Sequence, residues 1–304
     1  MSENREEDIE LMLSCLEEND GELTDLLKKR RYYLRELSVL IAASEDTGSS
    51  LSPSESLVEQ YNMLLERLEE NLPEDRLSDP FMSSYMKHNR DLTLSSLCRM
   101  LANGIKGKKL SSSPMPGSSR VCYFRNRFSD DAYLAFSPLL KDATASYTDD
   151  FGSACEEVFL GRTDHCIIPF ASYSDGLMPR FIGLMQKYEL FISLSCRIVS
   201  GDGSFTTFVL LSSGPACVKG ADRLALTANV GSSCPLQKLL SIASNLGAVT
   251  LSCDLLPERL SPSEAYYLIF DVSECGSDAL ILALTLALPS LTVNGLFKEI
   301  KFND

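Results

Sequence analysis

Residues Ser233–Val272 read SCPLQKLLSIASNLGAVTLSCDLLPERLSPSEAYYLIFDV, and this stretch decides how the last third of the chain folds. Its first part reads as a helix ending at Gly247, a residue suited to the left-handed turn that closes helices. AVTLSCDLL and AYYLIFDV read as two strands around a Pro-containing turn, being rich in β-branched and aromatic residues. Working outward, DRLALTANV before the stretch is a further strand. SDALILALTLALP after it is a helix, and LTVNGLFKEI is a last strand. The order βαββαβ over residues 220–304 is that of a ferredoxin-like, α+β split unit.

Upstream, residues 120–215 alternate strand and helix. RVCYF is strand-like, and SDDAYLAFSPLL is a helix with Ser129 as its N-cap and two acids in its first turn. FGSACEEVFLG is a short helix closed by Gly161, and DHCIIPF is a buried strand. GLMPRFIGLMQKY is helical, while LFISLSCRIVS and FTTFVLLSS are strands. This rhythm predicts an α/β domain with ligands at the strand ends. Residues 103–119, NGIKGKKLSSSPMPGSS, have a linker composition of Gly, Ser, Pro and Lys. Before them, residues 1–102 read as an all-α bundle of three helices. LTDLLKKRRYYLRELSVLIAA places leucines on a helical period, ESLVEQYNMLLERLEENL is a second helix, and a third begins at Asp79-Pro80.

Composition narrows the function. A net charge of −14 over 304 residues repels phosphate backbones, so no nucleic-acid partner is expected. The acids crowd the N-terminus, as a solvated helix face and tail would. No run of 18 apolar residues is present and the N-terminus lacks an apolar core, so no membrane span and no signal peptide are expected. The ten cysteines lie singly, with no CxxC pair, which suits a reducing cytoplasmic location. With two histidines far apart, no metal site and no cofactor are expected.

Helical bundle, α/β domain, then βαββαβ domain is the layout of the bifunctional chorismate mutase–prephenate dehydratase family, and local segments resemble it in order. LTDLLKKRRYYLREL is similar to the first mutase helix through Leu26–Arg30. VCYFRNRFSDDAYLAF resembles the start of the dehydratase domain, with Phe128, Ser129 and Ala132 on its Phe-Ser-x-x-Ala pattern. Pro169 and Gly176 match the end of the following strand, and FTTFVLLSS falls where a Thr-Arg-Phe triplet belongs. The resemblance implies a multidomain chain: helical mutase-like bundle, two-lobed periplasmic-binding-like dehydratase domain, and ferredoxin-like ACT regulatory domain. It implies prephenate- or chorismate-like anions or an aromatic amino acid as ligands. It also implies a homodimer or homotetramer, because ACT modules pair by their sheets.

Site residues carried over from the family depart from its pattern. The triplet reads Thr206-Thr207-Phe208, so the arginine that grips a carboxylate is absent. Thr206 is a proton-donor candidate for the leaving hydroxyl or a plain strand threonine. The Gly-rich turn is replaced by RNRFS, where Arg125 and Arg127 either take over carboxylate binding or are surface charge. Ser172 and Tyr173 stand where the family has an acid and an amide, and can still donate hydrogen bonds. In the mutase-like part Arg30 matches one clamp arginine, the late glutamine falls near Thr93, and other clamp positions are uncharged or acidic. In the ACT-like part Cys234-Pro235-Leu236 and Asp254 to Pro257 occupy the ligand-binding positions. The proline is kept there, and the family's polar ligand-holding residues are replaced. Two functions remain open: a dehydratase with a rebuilt or weakened site, or a non-catalytic descendant that binds a small molecule or regulates.

Overall fold

A computed structural model describes residues 3–44, 63, 67, 84, 88, 92–100, 119–215, 218–231, 234–257, 260, 264–288 and 290–301. They divide into two compact units, Met1–Ile105 and Lys106–Asp304.

In the first unit, helix α1 (Glu3–Ser44) runs for 42 residues, so the acidic N-terminus continues the helix expected from Leu23 onward. Leu, Met and Glu there are strong helix formers. Leu94, Leu97 and Cys98 on the helical stretch 92–100 are buried, and the Arg30 guanidinium donates to the Thr93 hydroxyl at 2.5 Å. The second expected helix, most of the third with its Asp79 cap, and linker residues 103–118 lie outside the described residues.

The second unit runs β1 (Arg120–Phe124), α2 (Arg127–Phe136), β2 (Thr144–Thr148), α3 (Phe151–Phe159), β3 (His165–Ser172) and β4 (Gly176–Leu177). It continues through α4 (Pro179–Lys187), β5 (Phe191–Val199), β6 (Phe205–Ser212) and β7 (Arg223–Asn229). It ends with α5 (Leu236–Asn245), β8 (Val249–Leu255), β9 (Ala265–Asp271), α6 (Ser277–Ala287) and β10 (Thr292–Lys301). One sheet holds every described strand, in the order β2-β1-β3-β6-β5-β10-β7-β9-β8, with β4 beside β3. The last four strands in that order are antiparallel and linked βαββαβ, which is the expected ferredoxin-like arrangement.

Three local expectations change. The cap of α2 is Asn126, not Ser129. Asn126 is extended, and its side-chain oxygen accepts the Ser129 amide at 3.0 Å, which puts Ser129 inside the first turn. The sheet is mixed, because β5 and β6 form an antiparallel hairpin (Arg197 opposite Thr207) rather than a further parallel crossover. Residues 120–215 also build one lobe instead of two. Six strands and three helices consume that length, and the same sheet continues through the strands of residues 223–301.

Strand β10 welds the two halves. Residues 298–301 pair parallel with β5, and residues 292–297 pair antiparallel with β7, with a register shift between Val293 and Gly295. Gly295 has φ +153°, and its backbone lies directly against Ile192. The apolar core follows the weld. Ile182 and Met185 of α4, Cys155 of α3, Ile192 of β5, Tyr267 of β9 and Phe297 of β10 belong to one buried cluster. Ala132 and Phe136 of α2 pack with Leu194 and Phe208 in a second cluster. Burying each large side chain contributes about 1.5–3 kcal/mol, so two halves sharing a cluster stabilise each other.

His165 at the start of β3 is buried, and burial lowers its pKa more than the nearby Asp164 charge raises it. A depressed histidine pKa leaves stability intact above the unfolded value of about 6.5, and stability falls as pH drops through the folded value. Urea midpoints of wild type should therefore decline from about pH 7 to 5, and His165→Leu should flatten that decline. Equal slopes in the two proteins would show that His165 does not carry the dependence.

Candidate functional site

A cavity of about 310 Å³ opens where the two halves of the sheet meet at β10. Strand alternation supplies its wall, because residues two apart face the same side. Phe205, Thr207 and Val209 of β6 line it together, as do Ser195 and Arg197 of β5 and Phe297 and Glu299 of β10. β3 and β4 add Phe170, Ala171, Ser172, Gly176 and Leu177. The second half adds Arg223 at the start of β7, Leu251, Ser252 and Asp254 of β8, and Ile269 of β9. At this volume the cavity takes a body about the size of one ring with a short chain, at the small end of ligand pockets.

Two cations line the cavity, and they differ in commitment. Arg223 is only 21% exposed; its Nη1 lies 2.6 Å from Asp271 and its Nε 3.8 Å from Asp222. The Asp271 carboxyl is held below the usual carboxylate range, first by the Ser273 hydroxyl and amide and then by Arg223. Arg197 is 54% exposed, and its guanidinium carbon sits 4.4 Å over the Phe205 ring. The Glu299 carboxylate is 3.9 Å from it, too long for a hydrogen bond. Arg197 thus keeps its planar donor fork available for an incoming carboxylate. Ser252 hydrogen-bonds the carboxylate of Asp254.

The strand register sets a charged residue opposite Thr207. Arg197 on β5 stands directly opposite Thr207 on β6, and Ala171 on β3 stands opposite Thr207 on its other side. Cross-strand neighbours have their Cβ atoms about 5 Å apart. Arg197 therefore leaves the sheet beside Thr207, and its guanidinium reaches over the Phe205 ring.

The residues expected from sequence are only partly brought together. Thr207, Ser172, Gly176 and Asp254 line the cavity. The Ser172 hydroxyl donates to Asp175 at 2.9 Å. Gly176, at φ +63°, makes the turn into β4. Thr206 alternates onto the opposite face from Thr207, and Phe208 is buried there in the core with Phe136. Tyr173 is exposed, edge-on to Phe205 at 5.6 Å. Arg125 stacks over Tyr147 at 4.7 Å and lies 3.8 Å from Asp130; Arg127 is exposed on the first turn of α2, and Ser129 is buried there. None of these three lines the cavity. Cys234 is buried, and Pro235 and Leu236 begin α5 past the far end of β7, a strand length from Arg223. Pro257 follows β8, and its carbonyl accepts the Leu260 amide. Arg30 belongs to the other unit. Among the described residues no group of three or more His, Cys, Asp or Glu could hold a metal ion.

Arg197, Arg223, Ser195 and Glu299 escaped the sequence reading. The signal for Arg197 was present as a single charge inside the apolar strand LFISLSCRIVS, but its pairing partner was not.

No protein-family model matches the chain, and no curated protein sequence matches it. Solved structures do overlap it in chain path. Prephenate dehydratase from Streptococcus mutans overlaps with 14% identity and a TM-score of 0.49, over 61% of this chain and 100% of that one. The Arthrobacter aurescens prephenate dehydratase in complex with L-Phe overlaps with 13% identity and a TM-score of 0.46, over 59% and 90% of the two chains. A quorum-quenching acylase, GqqA, overlaps with 15% identity and a TM-score of 0.46, over 59% and 94%. At these values the likeness concerns the path of the chain, and the chemistry has to be read from the cavity itself. Among the described residues no helix is long and apolar enough to cross a membrane.

Proposed function

We propose that the chain is a non-catalytic small-molecule-binding protein on a prephenate-dehydratase-like scaffold. Its cavity takes a single carboxylate carried on an aromatic or apolar body, such as an aromatic amino acid or the corresponding keto acid. The observation that carries this reading is Arg197: a guanidinium stacked on Phe205 and lining the cavity, carried on the strand position opposite Thr207. Phe205, Phe297 and Leu251 offer the apolar wall for the body.

The charges around the cavity argue against a doubly charged acid. Asp254 and Glu299 line it with Arg197 and Arg223, and Arg223 is already engaged by Asp271. A second ligand carboxylate would face two acids and one committed cation, and buried charge without a partner is costly. Dehydration also needs a proton delivered to the leaving oxygen. Among the described residues no histidine, lysine, tyrosine or cysteine lines the cavity, Thr206 points to the other face, and the two acids that line it, Asp254 and Glu299, sit by Ser252 and Arg197. A chorismate-mutase role for the first unit lacks the same support, since Arg30 is bound to Thr93.

Calorimetry with L-phenylalanine, phenylpyruvate and prephenate tests the reading, together with an assay of phenylpyruvate formation from prephenate. Binding of a monocarboxylate more tightly than prephenate, with no turnover at high protein concentration, is the expected result. Measurable phenylpyruvate formation would establish a dehydratase with a rebuilt site instead.

A further inference from the structure

Two of the charged residues that line the cavity are already engaged. The Arg223 Nη1 lies 2.6 Å from Asp271, and the Asp254 carboxylate accepts the Ser252 hydroxyl. The other two, Arg197 and Glu299, keep their capacity for a ligand. Their charged groups are 3.9 Å apart, too long for a hydrogen bond, and the side chains are 54% and 41% exposed. The strand ladder accounts for the proximity. Glu299 on β10 pairs with Ser195 on β5, so Arg197, two residues further along β5, is its diagonal neighbour on the same face. An open cation and an open anion therefore stand side by side on one wall.

Such a pair complements a ligand head that carries both charges. An α-amino acid holds its ammonium and its carboxylate on one carbon atom. With the carboxylate accepting from the Arg197 fork, the ammonium falls on the Glu299 side. It has three donors to give, and the Ser195 hydroxyl, which also lines the cavity, is a second acceptor there. A zwitterion adds no net charge to a wall that holds two cations and two acids. A keto acid of the same body fits less well. Its carbonyl oxygen is an acceptor set against the acceptor oxygens of Glu299, and that carboxylate loses water without gaining a donor.

We propose that Glu299 determines the specificity of the cavity: it takes the ligand's ammonium, so that an α-amino acid is selected over the corresponding keto acid. The inference rests on the reading of the cavity as a carboxylate site. Neither Arg197 nor Glu299 is a position that the family resemblance implied. Cys234 to Leu236, which it did imply for amino-acid sensing, lie a strand length away.

Calorimetry on the full chain with L-phenylalanine, phenylpyruvate and 3-phenylpropionate tests the proposal, the last ligand having neither ammonium nor carbonyl. Wild type should bind L-phenylalanine about tenfold or more tighter than the other two. Glu299→Gln keeps the shape of the side chain and removes its charge. It should weaken L-phenylalanine by about tenfold, leave 3-phenylpropionate unchanged or tighter, and so erase the preference. Equal weakening of all three ligands in Glu299→Gln would mean a merely structural role and would overturn the proposal. Wild-type affinity for phenylpyruvate equal to or above that for L-phenylalanine would overturn it too, while leaving the carboxylate reading intact. Absence of binding by all three ligands would overturn both.

Discussion

Alanine in place of Gly295 is expected to prevent the Lys106–Asp304 unit from folding. The added Cβ would fall against the Ile192 carbonyl oxygen, 2.7 Å from the Ile192 amide nitrogen and 3.0 Å from its carbonyl carbon. These are backbone atoms of β5, so no side chain can swing away to make room. The φ of +153° is itself strained for any residue with a side chain. Relief requires β10 to move off β5. That breaks the pairing of residues 298–301 and opens the cluster holding Phe297, Ile192 and Tyr267. The cost should exceed about 4 kcal/mol, a large share of the roughly 5–15 kcal/mol that holds a domain together. Thermal unfolding followed by near-UV circular dichroism is the check. A G295A protein melting within a few degrees of wild type would mean that β10 is not the weld between the halves. Helix α1 belongs to the other unit and should keep its far-UV signal, which separates this outcome from general misfolding.

The second large effect concerns ligand affinity. Arg197→Ala should weaken binding of a carboxylate ligand by about ten- to a hundredfold, the worth of a charge-assisted hydrogen bond of about 1.5–3 kcal/mol. Stability should change little, because the side chain is more than half exposed and its ion pair with Glu299 is long. Arg197→Lys should recover part of the loss, since an ammonium keeps the charge without the bidentate fork. The register adds a sharper test. In the Arg197→Ala background, Thr207→Arg returns a guanidinium to the same cavity wall from the adjacent strand. Binding should partly recover. Titration calorimetry with phenylpyruvate measures all four proteins. Wild-type affinity in Arg197→Ala would place the carboxylate elsewhere, with Arg223 as the next candidate.

The same cavity shows how far reading by motif extends. Thr207, Ser172, Gly176 and Asp254 were named through the family resemblance, and all four line the cavity. Arg125 and Arg127 were read as either carboxylate-binding or surface charge. Asn126, however, caps α2 and directs that turn away, leaving Arg125 stacked on Tyr147. Arg197 lies ten positions before Thr207 in the chain and one strand away in space. Nothing in a linear pattern distinguishes that neighbour from any other arginine in a strand.

What the amino-acid order determined alone is the sequence of helices and strands. Periodicity of two or 3.6, Gly and Pro punctuation and buried apolar runs act over a few residues, and the observed elements from 120 to 301 follow them except β2, an exposed edge strand without alternation, and the two-residue β4, which the pattern did not mark. Only the tertiary structure decided that residues 120–215 make one lobe, that β10 joins it to the βαββαβ half, and that Arg197 meets Thr207. Those outcomes depend on which strands hydrogen-bond and in what register. Pairing energies between strands distant in the chain are shared across the whole sheet and leave no local mark.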